Sequence, residues 1–512
     1  MSQKKKKPSA EPEVMEKIVS LCKRRGFVFQ SSEIYGGLKS CYDYGPLGAE
    51  LKRNVKAEWW RTMVHEREDV VGLDASIIMH PDVWRASGHL AGFTDPLVDC
   101  KDCKNRGRAD HWPQAEKGAE VSYKVIVDHK SGKKESRKGT VGELGITCPV
   151  CGSPNTSDIR RFNLMFRTSL GSVDNIDSIA RALEGKNLSG DDLKGAIANA
   201  INESAVYLRP ETAQAMFVNF LNVQQAARIR PPFGIAQQGK SFRNEITVEH
   251  FTFRSCEFEQ MEMEFFVPPP EYCGEGEKND MDWYEYWCNE RLDWYARMGI
   301  RREKLRLRPH ETEELAHYAK ACSDVEYDYP WGWGELEGIA HRTDYDLKAH
   351  EKASGKKLTY FDPDKKAHYH PFVIEPAAGA DRAALAFLLD AYTEEPPTEI
   401  RKSGRTLLKL HPRLAPIKVA VLPLVRKDGM PETARKVVAQ FFEAGVNAFY
   451  DEKDAVGRRY ARQDEAGTPY CLTVDGQTAE DETVTIRERD SMQQDRIKVA
   501  EAVEVVRKRL AE

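Results

Sequence analysis

Long hydrophobic runs are missing from this 512-residue chain. A membrane-spanning helix needs roughly 18 or more consecutive apolar residues, and no run here approaches that length. The first residues, MSQKKKK, are basic, but no apolar segment follows them as it would in a secretory signal. Glu11 and Glu13 also break the acid-poor pattern of a mitochondrial presequence. The sequence therefore predicts a protein that is neither exported nor embedded in a membrane.

The chain also lacks an excess of positive charge. It has 76 Lys and Arg against 81 Asp and Glu, which gives a net charge of −5. This balance excludes a protein that coats nucleic acid, although a local basic groove needs only local positive charge. The 11 cysteines are an odd number, and without a signal peptide they indicate mostly free thiols in a reducing cytoplasm.

The length predicts two or three domains of roughly 100–200 residues each. Prolines and glycines between residues 393 and 416 suit a domain boundary. Two helical patterns in 172–204 indicate a helical insertion. We predict the N-terminal part of a core in 1–98, an inserted module in 99–160, the rest of the core in 161–405 and a C-terminal domain in 411–512.

The C-terminal region has the pattern of a small α/β domain. Residues 418–424 are nearly continuously apolar, as in a strand buried on both faces. A helix follows, with Pro431 at its start and Gly445 beyond its end. Further strands, which complete a predicted mixed sheet, are expected at 446–450, 470–474 and 484–489.

Two cysteine pairs lie at the spacing of metal knuckles, Cys100-x-x-Cys103 and Cys148-x-x-Cys151. Four thiolates at this spacing suit a tetrahedral, closed and therefore structural Zn²⁺ site. The alternative is four buried free thiols. The histidines, among them His65, His89 and His341, show no paired ligand spacing, and we assign them no role.

The stretch 239–266 reads GKSFRNEITVEHFTFRSCEFEQMEMEFF and predicts a β-hairpin. In the first strand Arg243 and Glu245 are two residues apart and share one face. In the second strand one face carries Phe258, Gln260, Glu262 and Glu264, and the other carries Met261, Met263 and Phe265. The apolar face predicts packing and the polar face predicts a pocket. A salt-bridged hairpin on the surface fits the same residues.

A second informative stretch, 372–392, leads from a strand into a helix. Gly379 permits close backbone approach just before the helix, and Arg382 lies in its first turn. The positive end of the helix dipole favours anionic phosphate there. Alone the signal is weak, because arginines on helices usually extend into solvent.

Together these stretches resemble the sequence motifs of class II aminoacyl-tRNA synthetases. Arg243-Asn244-Glu245, Phe253-Arg254 and residues 257–262 resemble motif 2, in particular that of the glycyl-tRNA synthetases. Residues 372–382 are similar to motif 3, and Tyr44–Gly48 with the helix after it to the dimer-forming motif 1. The resemblance implies an α+β fold: an antiparallel sheet flanked by helices, a zinc-binding insertion and a C-terminal α/β anticodon-binding domain.

The resemblance also implies a homodimeric enzyme. Such an enzyme activates glycine with ATP to glycyl adenylate and transfers it to the 3′ end of tRNA(Gly). Arg243, Glu245 and Arg382 would be catalytic, and Glu335 would bind Mg²⁺. The expected ATP contacts are Arg243, Asn244, Glu245, Phe253, Arg254, Glu257, Phe258, Glu335, Leu336, Gly379, Asp381 and Arg382.

Glycine offers no side chain to grip, so selectivity must come from excluding anything larger. By resemblance, Glu211 and Glu375 capture the α-ammonium group. Ala377 departs from the family pattern, which has serine in Glu-Pro-Ser-x-Gly. The expected glycine contacts are Arg108, Glu211, Phe258, Glu259, Gln260, Met261, Glu262, Glu375 and Gly379.

The resemblance further implies that residues 411–512 bind the anticodon. Within them 457–465 mix arginines with Tyr460, which suits stacking on bases beside phosphate contacts. A solvated basic face is the alternative for that stretch. For the whole chain two rival functions remain: a sister synthetase of another amino-acid specificity, and a non-catalytic tRNA-binding regulator.

Overall fold

The computed structural model describes residues 11–128, 133–170, 175–203, 205–246, 250–316, 318–398 and 403–511. The basic N-terminal tail, the edges of the helical insertion at 171–174 and 204, and hairpin residues 247–249 lie outside the described residues. Among the described residues, no helix is both long and apolar enough to cross a membrane.

Within that part of the chain, seven strands form a central sheet. In chain order they are β1 (Val70–Gly72), β2 (Phe233–Phe242), β3 (Glu257–Val267), β4 (Leu305–Pro309), β5 (Ala321–Tyr329), β6 (Gly332–Thr343) and β7 (Phe372–Gly379). Their order across the sheet is β4-β5-β6-β7-β3-β2-β1, and the short edge strand β1 runs parallel to β2 while the other pairs are antiparallel. The predicted antiparallel sheet with flanking helices is confirmed.

Four long helices surround this sheet: α1 (Glu11–Arg25), α2 (Pro46–Trp60), α3 (Asp280–Arg297) and α4 (Ala380–Ala391). Helix α2 begins at Pro46, a residue favoured in the first turn, and one π-helical turn follows it at Arg61–His65. A Cβ atom at Gly48 would lie 1.8 Å from the carbonyl oxygen of Phe27, so this close approach requires glycine.

The predicted hairpin is β2 and β3, paired so that Gln237 lies opposite Glu262. Its apolar face packs as predicted: Met261, Met263 and Phe265 are fully buried, and the Phe265 ring centroid lies 5.2 Å from that of Trp287 on α3. The polar face is buried as well, and Gln260 and Glu262 of this face line the internal cavity described below.

One detail of the predicted hairpin is wrong. Strand β2 ends at Phe242, so Arg243 and Glu245 lie beyond it and do not share a strand face. The Arg243 N–H still donates to the Cys256 carbonyl (2.9 Å), but the Glu245 N–H then donates back to the Arg243 carbonyl (2.8 Å). This tight turn ends the ladder.

The inserted module contains three short strands and a two-stranded ribbon: Thr94–Asp99, Arg106–Arg108 and Arg160–Asn163, then Glu120–Asp128 and Lys133–Thr140. The predicted helical insertion contains two helices, Asn175–Leu183 and Gly190–Glu203. The other strands of the first 410 residues are Val28–Gln30, Tyr42–Tyr44, Ile78–Met79, Arg167–Ser169, Ala205–Leu208, Tyr360–Asp362, Ala367–Tyr369, Tyr392–Glu395 and Arg405–Leu408. Shorter helices are Pro81–Ala86, His89–Gly92, Ala213–Val218, Phe220–Ala227 and Tyr345–Ser354.

The C-terminal region has its own sheet and core. Its strands are β8 (Val419–Pro423), β9 (Ala448–Tyr450), β10 (Tyr470–Val474), β11 (Thr483–Glu488) and β12 (Gln494–Lys498). Its helices are α5 (Met430–Glu443), α6 (Val456–Ala466), the short Thr478–Asp481 and α7 (Ala502–Ala511). The order is β9-β8-β10-β11-β12, with parallel pairs at the first two contacts and antiparallel pairs at the last two, so the predicted mixed sheet is confirmed.

Candidate active site

A cavity of about 420 Å³ opens where β3, β6 and β7 meet the first turn of α4. It collects residues that are far apart in the chain. The predicted site residues that line it are Glu211, Arg243, Glu245, Phe253, Arg254, Phe258, Gln260, Glu262, Glu335, Glu375, Gly379, Asp381 and Arg382. The three residues predicted to be catalytic therefore face one space.

Some predicted contacts do not line the cavity. Met261 and Leu336 are fully buried in the hydrophobic core, so neither side chain can reach a ligand there. Glu257 is exposed and pairs with Lys240 (2.5 Å). For the two core residues the prediction can hold only for backbone atoms, because the alternation of β3 and β6 turns their side chains away.

Three more of the predicted residues lie beside the cavity. Glu259 pairs with Lys52 (2.8 Å) on α2. The Asn244 N–H donates to the Leu164 carbonyl (2.7 Å), which fixes the segment before the hairpin loop. Arg108, on a strand of the inserted module, forms ion pairs with Asp95 (3.0 Å) and Asp110 (2.7 Å).

Two guanidinium groups dominate one end of the cavity. Arg382 lies over the Phe253 ring at 4.5 Å, and its Nη1 contacts the Glu335 carboxylate at 3.0 Å. Arg243 lies 5.4 Å from the Phe258 ring, and its Nε donates to the Pro210 carbonyl (3.0 Å). Arg382 is the main cause that holds the pKa of Glu335 below its usual value, and Arg243 acts in the same direction. Burial of the carboxyl opposes both. This end suits a polyanion.

The first turn of α4 is fixed to the hairpin at this end. Asp381 accepts the backbone N–H of Glu259 (2.7 Å) and contacts the Lys52 ammonium group (3.2 Å). Because Asp381 is adjacent to Arg382 and Glu259 to Phe258, one carboxylate sets the relative position of the guanidinium and the ring.

The opposite end of the cavity is rich in carboxylates. Glu211, Glu262 and Glu375 line it, and the fully buried Glu264 lies behind them. The buried cation among them is Arg342, which contacts Glu375 (2.9 Å) and Asp346 (2.8 Å). Glu211 is held by His89 (3.2 Å) and by the Gln214 amide (3.0 Å).

The crowding of carboxylates shifts their protonation. Burial, reinforced by Glu375 and Glu211, raises the pKa of Glu262 to about 8. Burial and Glu375 also raise the pKa of Glu264 well above its usual value. Burial acts in the same direction on Glu211, but His89 and Arg342 hold the pKa of that carboxyl well below its usual range. A small bound cation would relieve this repulsion.

The sequence interpretation missed several residues of the site. Arg342 was not singled out, because it lies at the end of strand β6 while its partner Asp346 lies in the helix Tyr345–Ser354, so no periodicity links the two residues. No role was assigned to the histidines, and the structure places His89 against Glu211 (3.2 Å) and His341 against Asp280 (2.7 Å), while His65 accepts from Trp60 (3.1 Å). Other residues not predicted from the sequence are Thr252, Ser255, His310, Tyr318, Cys322 and Asp324.

The predicted basic surface at 457–465 is partly internal, although Arg458 is exposed. Arg459 is buried and donates to the Pro423 carbonyl (2.5 Å), and Tyr460 bonds to Thr473. Arg462 pairs with Asp451 (2.7 Å) and Asp454 (2.8 Å). All three side chains therefore have partners within the C-terminal region, and Tyr460 is half-buried there.

The four cysteines of the inserted module meet in space. The Sγ atoms of Cys100 and Cys151 are 3.7 Å apart, those of Cys103 and Cys148 are 3.6 Å apart, and all four lie within 4.8 Å of one another. A tetrahedral site with Zn–S bonds of about 2.3 Å has edges of roughly 3.8 Å, so the donor set fits Zn²⁺.

This fold is shared with aminoacyl-tRNA synthetases of class II. A prolyl-tRNA synthetase from Cryptosporidium parvum, solved with L-proline and AMP, matches with a TM-score of 0.56 at 11% identity, covering 98% of this chain and 79% of that chain. A second structure of a prolyl-tRNA synthetase from this organism, with halofuginone and AMPPNP, gives 0.57 at 12% identity, covering 99% and 79%. The family model described as an anticodon binding domain matches residues 418–509.

Closer relatives are found by sequence. A glycine–tRNA ligase of Acetivibrio thermocellus is 48% identical over 488 residues, which covers 95% of this chain and 96% of that protein. Those of Clostridium acetobutylicum and Streptomyces coelicolor are each 49% identical, covering 96% and 94% of this chain and 97% and 95% of those proteins. The chain belongs to the glycine–tRNA ligase family.

Proposed function

We propose that this protein is an enzyme that attaches glycine to tRNA(Gly). It activates glycine with ATP to glycyl adenylate, releases pyrophosphate, and transfers the glycyl group to the 3′ end of the tRNA. The observation that carries the proposal is one small cavity with two arginines at one end and a carboxylate cluster at the other. A nucleotide polyanion and an amino-acid cation fit these two ends, and the family relationship supports the choice of substrates.

At the arginine end, Arg243 contacts the α-phosphate and the attacking carboxylate, and it stabilises the negative charge that develops there. Phe258 and Arg382 hold the adenine between them. Glu245 accepts from the adenine amino group, and burial raises the pKa of this carboxyl, against the effect of Arg254 and Arg243. Glu335 binds the Mg²⁺ that accompanies ATP and neutralises phosphate charge. The chemistry is orientation and charge stabilisation without a covalent enzyme intermediate.

At the carboxylate end, the α-ammonium group of glycine lies among Glu211, Glu262 and Glu375. The Thr212 N–H donates to Glu262 (3.0 Å) and fixes this carboxyl on the cavity wall. Gln260 is hydrogen-bonded to Ser241 (2.6 Å) and to Glu262 (3.3 Å), so the wall is rigid. A rigid wall excludes larger amino acids, which is the available means of selecting the smallest one.

The remaining parts of the proposal concern the other domains. Residues 411–512 bind the anticodon arm, in agreement with the family match at 418–509. The module at 99–160 holds a structural Zn²⁺ on Cys100, Cys103, Cys148 and Cys151. With these, 1–98 and 161–405 form the catalytic core, and the protein acts in the cytoplasm.

We also propose a homodimer. The loop between α1 and α2 exposes Ile34 (87%), Tyr35 (88%) and Leu38 (60%), next to the motif 1 segment. Such side chains suit an interface between copies of the chain. Sedimentation should give twice the mass of the chain, and Tyr35→Glu should shift the protein toward monomer; a monomeric wild type contradicts the proposal.

The test of the reaction is ATP–pyrophosphate exchange with each amino acid in turn. We expect exchange with glycine alone. Arg243→Ala should lower it at least about 100-fold, because a transition-state contact is lost. Arg435→Ala, which removes an exposed arginine of the C-terminal domain, should leave it unchanged. Exchange with another amino acid identifies a sister synthetase, and no exchange with any amino acid identifies a non-catalytic regulator.

A further inference from the structure

A histidine, a cysteine and an aspartate meet on the cavity wall and have no role in the reaction proposed above. Cys322 and Asp324 are two residues apart on β5 and share a face. The His310 N–H donates to the Cys322 carbonyl (2.9 Å), so His310 lies directly across from Cys322. All three side chains line the cavity.

Their donor atoms are close enough to share one ion. The imidazole, thiol and carboxylate donors lie within 4.8 Å of one another, and His310 Nε2 is 2.8 Å from Asp324 Oδ2. The second partner of Asp324, the Arg308 guanidinium, reaches the same Oδ2 at 3.1 Å. Zn–N and Zn–S bonds of about 2.0–2.3 Å place ligands roughly 3.3–3.8 Å apart. Small side-chain rotations therefore suffice, and Arg308 keeps its contact with Glu326 (3.0 Å).

The surrounding charge also favours a divalent cation. Burial, followed by Asp324, Glu375 and Glu335, raises the pKa of the Cys322 thiol to about 12. Burial and then Glu335 raise the pKa of Asp324, although His310 and Arg308 act in the opposite direction. The carboxylates of Glu335 and Glu375 line the same cavity and attract a dication, and binding releases the Cys322 thiol proton to solvent as the sulfur–metal bond forms.

We propose that His310, Cys322 and Asp324 form an inhibitory site for Zn²⁺ at the edge of the nucleotide pocket. A nitrogen, sulfur and oxygen donor set selects Zn²⁺ over Mg²⁺, which prefers oxygen ligands. Three protein ligands leave a fourth position open toward the cavity, where Glu335 also lies. An ion there draws Glu335 away from Arg382 and from Mg-ATP, so activation of glycine stops.

Metal binding is tested without any activity measurement. Equilibrium dialysis against Zn²⁺ should show one ion fewer per chain for Cys322→Ser than for the wild type. His310→Asn should show the same difference, and Cys256→Ser, a half-buried thiol outside the triad, should show none. The difference is independent of ions bound to the four-cysteine module. Equal ion counts for wild type and Cys322→Ser overturn the proposal.

The inhibitory role of the Zn²⁺ site rests on the proposed function. It is tested by ATP–pyrophosphate exchange at a fixed Mg-ATP concentration and increasing Zn²⁺. Cys322→Ser should keep its activity without Zn²⁺, because the thiol contacts no proposed substrate. It should need at least about tenfold more Zn²⁺ for half inhibition than the wild type. If the ion counts differ but the inhibition curves coincide, the inhibitory role is overturned. A protein that binds the extra ion yet shows no exchange contradicts the proposed function and leaves the metal site supported.

Discussion

Each carboxyl of the cluster is repelled by its neighbouring carboxyls and attracted by Arg342 or His89. Glu262 lies among Glu211 and Glu375, and Arg342 compensates only part of this charge. A site for a cationic group gains from such unrelieved repulsion, because the ligand supplies the missing positive charge. Arg342 and His89 then act as fixed partners that hold Glu375 and Glu211 in place.

This arrangement predicts a proton linked to glycine binding. The raised pKa of Glu262, about 8, means that the carboxyl is protonated below that pH in the free protein, whereas the ammonium group favours its ionised form. The KM for glycine should therefore fall as pH rises from 6.5 to 8, by up to about tenfold per pH unit. Steady-state exchange across this range measures it.

Two isosteric variants distinguish which carboxyl causes the pH dependence of the KM for glycine. Glu262→Gln should flatten the pH dependence and raise the KM at pH 8. Glu264→Gln should keep the wild-type profile, because Glu264 is buried behind the carboxyls that line the cavity. A Glu262→Gln protein that retains the wild-type slope would assign the linkage to another group.

At the scale of elements, the contact between α2, β3 and α4 decides the nucleotide end of the site. Lys52 on α2 joins Glu259 of β3 (2.8 Å) and Asp381 of α4 (3.2 Å), and all three side chains are nearly buried. The hairpin and the helix each carry one group that is proposed to hold adenine. Their relative position is therefore set by a lysine of the motif 1 helix.

Lys52→Met should weaken ATP binding more than glycine binding. Asp381 loses its cation, so Phe258 and Arg382 are held less firmly, and we expect the KM for ATP to rise roughly tenfold, or about 1.4 kcal/mol. Lys56→Met is the matched control, because Lys56 contacts Glu259 (2.6 Å) but not Asp381. Equal effects of the two variants on both KM values would contradict a positioning role for Lys52.

The inserted module also affects the active site, because its folding determines the position of Arg108. Its core is small, with Trp112 and Ile146 packed around the cysteines, and we expect the proposed Zn²⁺ to stabilise it. Removal of Zn²⁺ with a chelator should therefore change Trp112 fluorescence and loosen the module. Arg108, on a strand of the module, should shift with it.

Cys148→Ser should reproduce the effect of the chelator without added reagent. Its far-UV spectrum should remain close to wild type, because the central sheet does not depend on the module. Cys273→Ser, a half-buried cysteine outside the module, should leave the metal content and the fluorescence unchanged. A module that is equally resistant to proteolysis with and without metal would contradict the structural role.

For the whole molecule, the joint between catalytic core and C-terminal domain contains a buried ion cluster. Asp464 of α6 contacts Arg405 (2.8 Å), in the strand Arg405–Leu408, and Arg487 (2.9 Å) of β11. On the outer side, Glu465 contacts Arg25 of α1 (2.6 Å). One helix of the C-terminal domain thus connects to both ends of the catalytic core.

Asp464→Ala should destabilise this joint strongly. It removes the carboxylate that two buried guanidinium groups share, and although Arg405 keeps Glu395 (3.2 Å), the change should cost about 3–5 kcal/mol. Asp454→Ala removes a partly exposed partner of Arg462 in the same domain and should cost less than about 1 kcal/mol. Urea unfolding measures both, and tRNA charging should fall more than ATP–pyrophosphate exchange in Asp464→Ala. Similar stabilities of the two variants would contradict this account.

The sequence was most informative where a pattern is local. Alternation along β3 assigned Met261, Met263 and Phe265 to the core, and the strand–glycine–helix pattern placed Arg382 in the first turn of α4. It failed at Arg243 and Glu245, because a turn ended β2 earlier than alternation implied. It also overestimated the accessible basic surface of α6, since Arg459 is buried by carbonyl partners that no local pattern reveals.

The sequence by itself determined the family, the main strands and helices, and which four cysteines come together, because periodicity and spacing are properties of neighbouring residues. Only the tertiary structure decided that Arg342 and His89 complete the carboxylate cluster. It also decided that Lys52 ties the hairpin to the helix, and that His310 lies across from Cys322 and Asp324. The contacts of Lys52, Arg342 and His89 join residues far apart in the chain, and His310 meets its partners across two neighbouring strands. All of them depend on how the elements are arranged in space, which no short segment encodes.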